Sequence, residues 1–292
     1  MVTARAPATS ANLGSGFDTF GVALSHPADT VAVERADETT IEVTGAGAQF
    51  IPTDPEKNVV GAVAAALDAP AHIRIDKGVR PSSGLGSSAA SAAAAAVALD
   101  ELYDRGHSRE GLIPAAAEGE ALVSGEAHAD NVAPALLGGF TVVRRDDSAT
   151  SVDARLPLVA CLPEVVVSTK DARGVVPDSM SMADHVETVG NAATLTAGMC
   201  QSDPELVGHG MDDPVVTPAR AELITGYDAV REAALSAGAT GVTVSGAGPS
   251  LLAACPSGSR RRVAAAMVEA FADAGVGARA YQTEVGRGAT VL

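Results

Sequence analysis

The sequence predicts an α+β fold arranged in two lobes. Short segments that alternate apolar and polar residues indicate β-strands, and several follow one another closely enough to form antiparallel hairpins. Longer segments rich in alanine indicate helices between them. A charged stretch without periodicity, RRDDSATSVDAR at residues 144–155, has the character of a surface linker. We therefore expect two domains, residues 1–150 and 151–292.

The first half is expected to begin with a strand that leads directly into a glycine- and serine-rich binding loop ending at Asp18. Two alternating segments that follow, separated by a polar tripeptide, predict an antiparallel pair. The expected strands are residues 2–6, 30–35, 39–44, 72–76 and 140–144, and the expected helices are 58–67, 87–103 and 108–123.

The second half is expected to carry more strands and a pair of long helices. A glycine turn, SGAGP at residues 245–249, joins two short apolar segments and predicts a strand-turn-strand unit. The expected strands are residues 158–162, 165–169, 242–244, 251–255 and 278–282, the expected helices are 182–199, 220–237 and 263–274, and residues 170–177 are expected to form a loop.

One stretch, PSSGLGSSAASAAAAAVAL at residues 81–99, carries the clearest functional signal. A glycine-rich turn that opens a strong helix leaves the first N–H groups of the helix unpaired, with the positive end of the helix dipole behind them. Such a helix start binds phosphate, although similar loops also serve as plain connectors. No lysine lies between Pro81 and Asp100, so the P-loop pattern is absent. A bound nucleotide would have to be neutralised by magnesium, amides and arginines.

Composition excludes several classes of function. The formal charge of −16, with 36 acidic against 20 basic residues, repels nucleic acid and anionic membrane surfaces. Three widely spaced cysteines without a metal-binding pattern favour free thiols in a reducing cytoplasm, and no segment is apolar enough for a signal peptide or a membrane span. An acidic chain with only three lysines also suggests a protein adapted to concentrated salt.

Three glycine- and serine-containing motifs together resemble those of the GHMP kinases. They are PATSANLGSGFD at residues 7–18, PSSGLGSSAA at 81–90 and VSGAGPS at 244–250, and their order and spacing match over essentially the whole chain. The resemblance implies an N-terminal domain like ribosomal protein S5 domain 2 and a ferredoxin-like C-terminal domain with the active site between them. It also implies transfer of the γ-phosphoryl group of ATP to a small-molecule hydroxyl.

Within the family, the amino-acid sequences of the motifs are most similar to those of members acting on L-homoserine. The matching segments include HADNVAPALLGGF at residues 128–140, TKDAR at 169–173 and PAR at 218–220. The resemblance then implies formation of O-phospho-L-homoserine for threonine biosynthesis by a homodimer. Two alternatives stay open: another small-molecule kinase of the family, acting on shikimate or mevalonate, and a nucleotide-binding sensor without catalysis.

The resemblance also assigns roles to individual residues. ATP would contact Asn58 near its adenine and the phosphate loop along its phosphates, while Ser88 and Glu120 would hold Mg²⁺. The implied nucleotide-binding residues are Asn58, Pro81, Ser82, Ser83, Gly84, Leu85, Gly86, Ser87, Ser88, Ala89 and Ala90, the implied substrate-binding residues are Asn12, Asp18, His128, Arg173 and Arg220, and the implied catalytic residues are Ser88, Glu120, Asn12, Asn131 and Thr169.

The chemistry of the proposed acceptor supports part of this assignment independently. A zwitterionic amino acid needs a carboxylate for its ammonium group, which Asp18 supplies, and a guanidinium for its carboxylate, which Arg173 or Arg220 supplies. Where some members of the family place an aspartate as general base, this chain has Asn131. We therefore expect attack without a general base, with the hydroxyl oriented by Asn12 or Asn131 and Asp130 pointing elsewhere if its backbone is extended.

Overall fold

A computed structural model describes residues 1–124 and 129–292, with only the backbone of Val123 and Ser124. Helices and strands are mixed along the chain, as expected for an α+β protein. The strands are β1 Val2–Ala11, β2 Phe20–Arg35, β3 Thr40–Gly45, β4 Ala71–Lys77, β5 Phe140–Val143, β6 Ala149–Val152, β7 Pro157–Pro163, β8 Gly241–Val244, β9 Leu251–Ala254, β10 Ala278–Glu284 and β11 Thr290–Val291. The helices are α1 Val59–Ala66, α2 Ser87–Leu102, α3 Ile113–Ser124, α4 Ala129–Leu137, α5 Thr169–Gly174, α6 Met182–Gln201, α7 Pro204–Gly210, α8 Val216–Ala221, α9 Tyr227–Ser236 and α10 Arg260–Asp273.

The first sheet is built around β2, whose sixteen residues pair with three other strands. Its main path runs β11-β1-β2-β4-β3, and β5 and β6 extend it from the start of β2. β11 lies next to β1, so the last residues of the chain return to the first sheet. The expected boundary after residue 150 falls inside β6, which ends at Val152. The second sheet begins at Pro157, and only β11 of the later strands belongs to the first sheet.

The alanine-rich helix α2 forms the centre of the first domain. Every residue from Ala89 to Asp100 is buried, and the helix packs against β1 and β2. Because methyl side chains occupy little space, the helix axis can lie close to the sheet and to α1, α3 and α4 at the same time. This close packing holds the start of α2, and the loop before it, in a fixed position.

The second sheet has the antiparallel order β10-β7-β9-β8. Counted within this domain, that is strand order 4-1-3-2 with long helical connections after the first and third strands, which is the ferredoxin-like arrangement. A continuous apolar cluster joins the two domains and includes Phe20 and Phe140 from the first and Leu158, Leu195 and Leu252 from the second. The lobes are therefore packed firmly against each other.

Four local expectations were wrong. The strand expected over residues 2–6 continues to Ala11, so the first part of the expected binding loop is strand. β2 and β3 do not pair with each other; β4 lies between them, antiparallel to β2 and parallel to β3. Residues 165–169 are not a strand, because Ser168 caps α5, which also occupies the expected loop. The single helix expected over 220–237 is two helices, α8 and α9, separated by a turn in which Gly226 has φ of 86°.

Among the residues described, no helix has the length and apolar character required to cross a lipid bilayer.

Candidate active site

A cavity of about 370 Å³ lies where the three glycine motifs meet between the two domains. Most of the residues that sequence reasoning placed in a site line this one cavity. Those lining it are Asn12, Asp18, Asn58, Pro81, Ser82, Ser83, Gly84, Gly86, Ser87, Ser88, Glu120, Asn131, Thr169, Arg173 and Arg220. The side chains of Leu85, Ala89 and Ala90 are instead buried in the apolar core, and His128 lies outside the described residues.

The phosphate loop, residues 81–90, turns sharply into α2. Ser82, Gly84 and Gly86 have φ values of 53°, 75° and 60°, and Gly86 is the N-cap residue of the helix. The N–H of Ala90 donates to the carbonyl of Gly86 at 2.9 Å, so the N–H groups of the preceding turn have no helical acceptor. Ser87 Oγ donates to the Val79 carbonyl at 2.8 Å. Ser88, the next residue of this turn, also lines the cavity, and its hydroxyl does not make that bond.

The third glycine motif packs directly on the phosphate loop. Ser245 Oγ lies 2.7 Å from the carbonyl oxygen of Gly84 and 2.8 Å from Ser10 Oγ of β1. A Cβ atom on Gly84 would come within 2.6 Å of the carbonyl oxygens of Ser245 and Gly248, so no larger residue fits there. The C-terminal domain therefore fixes the shape of the phosphate loop as well as closing the cavity.

Asn12 joins the first motif to the third. Its Nδ2 donates to the carbonyl oxygen of Gly246 at 3.0 Å, and its Oδ1 accepts from the N–H of Asp18 at 3.0 Å. With φ of 70°, Asn12 adopts the left-handed conformation that asparagine tolerates better than most residues. In this structure its amide organises the loop that carries Asp18.

Asp18 and Arg173 form a two-pronged ion pair across the cavity. Arg173 Nη1 lies 2.7 Å from Asp18 Oδ2, and Nη2 lies 3.3 Å from Oδ1. Both side chains are about one-third exposed, so water or a ligand reaches them. A zwitterionic amino acid carries the same pair of charges and can replace this contact by binding its ammonium to Asp18 and its carboxylate to Arg173.

Arg220 supplies a second cation, which is almost completely buried. Its Nη1 donates to the Gly246 carbonyl at 2.8 Å and its Nε to the Ala172 carbonyl at 3.2 Å. Burial lowers the pKa of the guanidinium, while the Asp18 carboxylate acts in the opposite direction. A guanidinium is not deprotonated in proteins at neutral pH, so Arg220 stays charged. The ring of Phe17 lies 5.0 Å from the Arg220 guanidinium and 5.4 Å from that of Arg173, so one aromatic ring contacts both cations.

Two oxygen donors of the cavity suit a magnesium ion. The hydroxyl of Ser88 comes from the first turn of α2 and the carboxylate of Glu120 comes from α3. Mg²⁺ that bridges nucleotide phosphates is usually held by one or two protein oxygens and keeps several waters. The residues present therefore fit such an ion.

Asp130 and Asn131 both line the cavity because the segment that carries them is helical rather than extended. Asn131 Oδ1 accepts from Thr9 Oγ1 at 2.7 Å, and Asn131 Nδ2 lies 3.5 Å from Asp130 Oδ1. The expectation that Asp130 points elsewhere depended on an extended backbone, which is not present. A carboxylate thus accompanies the asparagine amide in the site.

Asn58 lines the same cavity, and apolar residues near it in sequence, Phe50, Ile51 and Val59, line it too. Its side chain is occupied by the fold: Oδ1 caps α1 by accepting from Val60 N at 3.0 Å, and Nδ2 donates to the Pro52 carbonyl at 2.6 Å. Thr169 is the first residue of α5 and lines the cavity beside Arg173.

Sequence reasoning missed Lys77, the last residue of β4. Its buried ammonium group pairs with the buried carboxylate of Asp29 and also donates to Ser91 Oγ at 2.9 Å and to the Ser87 carbonyl at 2.7 Å. A lysine thus does stand beneath the phosphate loop, although none follows the glycines. Alternation along β4 was the available signal, because Ile73 and Ile75 point inward and Lys77 continues their row.

Comparisons with known proteins agree with this geometry. The family profile of the GHMP kinases N terminal domain matches residues 57–139, and that of the GHMP kinases C terminal domain matches residues 195–273. Homoserine kinases of Haloquadratum walsbyi and Halorubrum lacusprofundi are 74% and 72% identical over all 292 residues, covering 100% and 99% of those proteins. These haloarchaeal relatives fit the acidic composition.

Solved structures give the same result. A homoserine kinase from Cytophaga hutchinsonii has a TM-score of 0.90 at 37% identity, covering 100% of this chain and 97% of the other. An L. major mevalonate kinase with R-mevalonate has a TM-score of 0.77 at 17% identity, covering 97% and 95%, which indicates a shared fold. The two-domain fold implied by the three motifs is confirmed. From its profiles, its full-length relatives and its structure, the chain belongs to the GHMP kinase family.

Proposed function

We propose that this chain transfers the γ-phosphoryl group of ATP to the side-chain hydroxyl of L-homoserine, giving O-phospho-L-homoserine for threonine biosynthesis. The observation that carries the proposal is the Asp18–Arg173 pair in the same cavity as the phosphate loop. Its charges match an amino-acid acceptor, and neither mevalonate nor shikimate has an ammonium group for Asp18. The full-length relatives are themselves homoserine kinases.

In this proposal the start of α2 binds the phosphates of ATP through its free N–H groups and its dipole. Ser88 and Glu120 would hold Mg²⁺, and the ion would neutralise charge on the phosphate oxygens. The acceptor oxygen forms a bond to the γ-phosphorus, the bond to the bridging oxygen of ADP breaks, and the hydroxyl proton passes to a phosphoryl oxygen. Such a transfer depends on positioning and electrostatics more than on covalent help from the protein.

We assign orientation of the acceptor hydroxyl to Asn131, since the Asn12 amide bonds the Gly246 carbonyl of the third motif and the N–H of Asp18. Asp130, next to Asn131 in the cavity lining, is a group that could accept the proton instead. An Asp130→Asn variant that binds both substrates and keeps its turnover supports transfer without a general base. If that variant binds both substrates but has lost turnover, Asp130 is the base.

The proposal is tested by ADP release in a coupled assay, with L-homoserine, shikimate and mevalonate compared at low and at molar KCl. We expect turnover with L-homoserine and little with the other two. Turnover restricted to another alcohol would contradict the substrate, and nucleotide binding without turnover on any alcohol would favour a sensor.

The metal site has its own test in a magnesium titration. We expect Glu120→Gln to raise the Mg²⁺ concentration required for half-maximal rate. The substitution replaces the negatively charged one of the two proposed protein ligands by a neutral amide. Glu118→Gln on the same helix is the matched control, since Glu118 is exposed to solvent. Equal magnesium dependence of the two variants would exclude Glu120 as a ligand.

We also propose that the protein is a homodimer. Met182, Val186 and Val189 are 74%, 66% and 54% exposed, and their spacing places them on one side of α6. A second copy of the same helix would cover this apolar stripe. Light scattering should give twice the chain mass, reduced to the monomer mass by Val186→Glu but not by Val166→Glu on a separate loop.

The cytoplasm is the compartment we propose for this activity, since ATP is available there. The cysteines are free in the structure, and burial raises the pKa of the Cys161 thiol to about 12 and that of Cys255 to about 11. Such thiols stay protonated and unreactive at neutral pH. Cell fractionation with a tagged chain tests this placement.

A further inference from the structure

We propose that Thr9 is a positioning residue that sets the orientation of the Asn131 side-chain amide in the active site. This inference rests on the proposed kinase function. Thr9 lies on β1, is completely buried and does not line the cavity, whereas Asn131 on α4 does. The two residues are 122 positions apart in sequence, and Thr9 Oγ1 donates to Asn131 Oδ1 at 2.7 Å.

The orientation of this amide matters because its two ends have opposite hydrogen-bonding character. Oδ1 only accepts and Nδ2 only donates. The Thr9 hydroxyl lies at Oδ1, and the Asp130 carboxylate, which accepts, lies 3.5 Å from Nδ2. The Asp130 carboxylate thus favours the orientation with the amino group on its side, and the Thr9 hydroxyl holds the amide there by donating to Oδ1.

That orientation suits the chemistry proposed for Asn131. An N–H that donates to the acceptor oxygen leaves the hydroxyl proton free to point towards the phosphoryl group. A flipped amide would accept the hydroxyl proton and turn it away from the phosphate. Thr9 therefore holds the amide in the productive orientation without touching the substrate.

The same contact ties the acceptor side of the site to the phosphate loop. A Cβ atom on Gly86 would lie 1.9 Å from Thr9 Oγ1 and 2.9 Å from Asn131 Oδ1, so the pair lies directly against that glycine. The N–H of Thr9 also donates to the Leu85 carbonyl at 3.1 Å. One residue of β1 thus supports both the phosphate loop and the amide that orients the acceptor.

The test compares kcat and KM of the wild type with those of Thr9→Val, Thr9→Ser, Asn131→Ala and the Thr9→Val/Asn131→Ala double variant. Thr9→Val removes the hydroxyl with little change of volume. We expect its kcat to fall about 10- to 100-fold, as for a misplaced catalytic group, with KM for ATP nearly unchanged. Thr9→Ser should restore most of the rate, and Thr9→Val should cost nothing further once Asn131 is alanine. Should Thr9→Val fail to fold, Thr9→Ala carries the same comparison.

Three results would overturn the inference. They are an unchanged kcat in Thr9→Val, a loss in the Asn131→Ala background equal to that in the wild type, and a loss that Thr9→Ser does not rescue. The last two would assign Thr9 a purely structural role. All three results can be obtained only with an active wild type. Failure of the proposed function is therefore distinguishable, because the wild type itself would then release no ADP with any alcohol. In that case both proposals would be wrong.

Discussion

Replacing Lys77 by methionine should destabilise the protein strongly, because it leaves the Asp29 carboxylate buried without its cation. The side chains of Lys77 and Asp29 are 2% and 0% exposed. Breaking a buried ion pair by removing one partner typically costs about 3–5 kcal/mol. Three donors stay on the carboxylate: Ser91 Oγ at 2.7 Å, Gly78 N at 3.0 Å and Val79 N at 2.9 Å. We therefore expect the lower end of that range, about 3 kcal/mol.

A loss of that size is readily measured by thermal unfolding. For a chain of this length it corresponds to a decrease in Tm of roughly 6–12 °C. Lys57→Met is a matched control, because Lys57 also lines the cavity but is 73% exposed and pairs with Asp54 on the surface. Its Tm should equal that of the wild type within error.

A second substitution separates the charge effect from simple loss of packing. Asp29→Asn in the Lys77→Met background removes the uncompensated charge and should recover part of the lost stability. The KM for ATP should rise in Lys77→Met, because the Ser87 carbonyl at the start of α2 loses its donor. Equal Tm values for Lys77→Met and Lys57→Met would refute this reasoning.

Three further predictions concern the loop, the acceptor and the solvent. Gly86→Ala should abolish ADP binding in calorimetry, because its Cβ would lie 1.9 Å from Thr9 Oγ1, whereas Gly190→Ala, with open space around it, should bind normally. Asp18→Asn should raise KM for L-homoserine at least about 10-fold by weakening a charge-assisted contact, without changing KM for ATP; an equal rise in both would contradict its assignment. The unfolding midpoint should rise from low to molar KCl because screening reduces repulsion within a chain of charge −16, and a fall would contradict salt adaptation.

Local sequence was sufficient to predict the helix that carries the phosphate loop. The helix expected from Ser87 to about Tyr103 is observed over Ser87–Leu102. Its start is determined by nearby glycines and its length by alanine, so neither depends on distant contacts. Where propensity and packing agree in this way, sequence reasoning needs no tertiary information.

Strand pairing could not be predicted in the same way. Alternation identified the segments of β2, β3 and β4, but β3 lies beside β4 rather than beside β2. An alternating pattern tells which face of a strand is buried and does not name its neighbour. Ser168 and Asp171 show another limit, since the cap they form on α5 outweighs the strand preference of the preceding valines.

The residues of the candidate site that lie in sequence motifs could be predicted. Single side chains that come from other parts of the chain could not. Lys77 and Thr9 belong to strands, and only the packing of α2 and α4 brings them beneath the cavity. The pairing of Asp18 with Arg173 across 155 positions is equally a product of the fold. Sequence reasoning predicted the charges that an amino-acid acceptor requires, and the structure shows that the two side chains are paired with each other.

The seam between the phosphate loop and the SGAGP turn limits how this enzyme can be recombined with its relatives. One carbonyl oxygen, that of Gly246, accepts from Asn12 of the N-terminal half and from Arg220 of the C-terminal half, and Ser245 lies against Ser10 and Gly84. A chimaera spliced between residues 153 and 156 would inherit the second sheet intact and the first sheet except for β11, which comes from the C-terminal parent. It would be active only if the residues that one parent supplies on one side of this junction can bond those that the other parent supplies on the other side. The activity of such chimaeras should therefore depend on the identity of these few residues more than on the identity of the two whole chains.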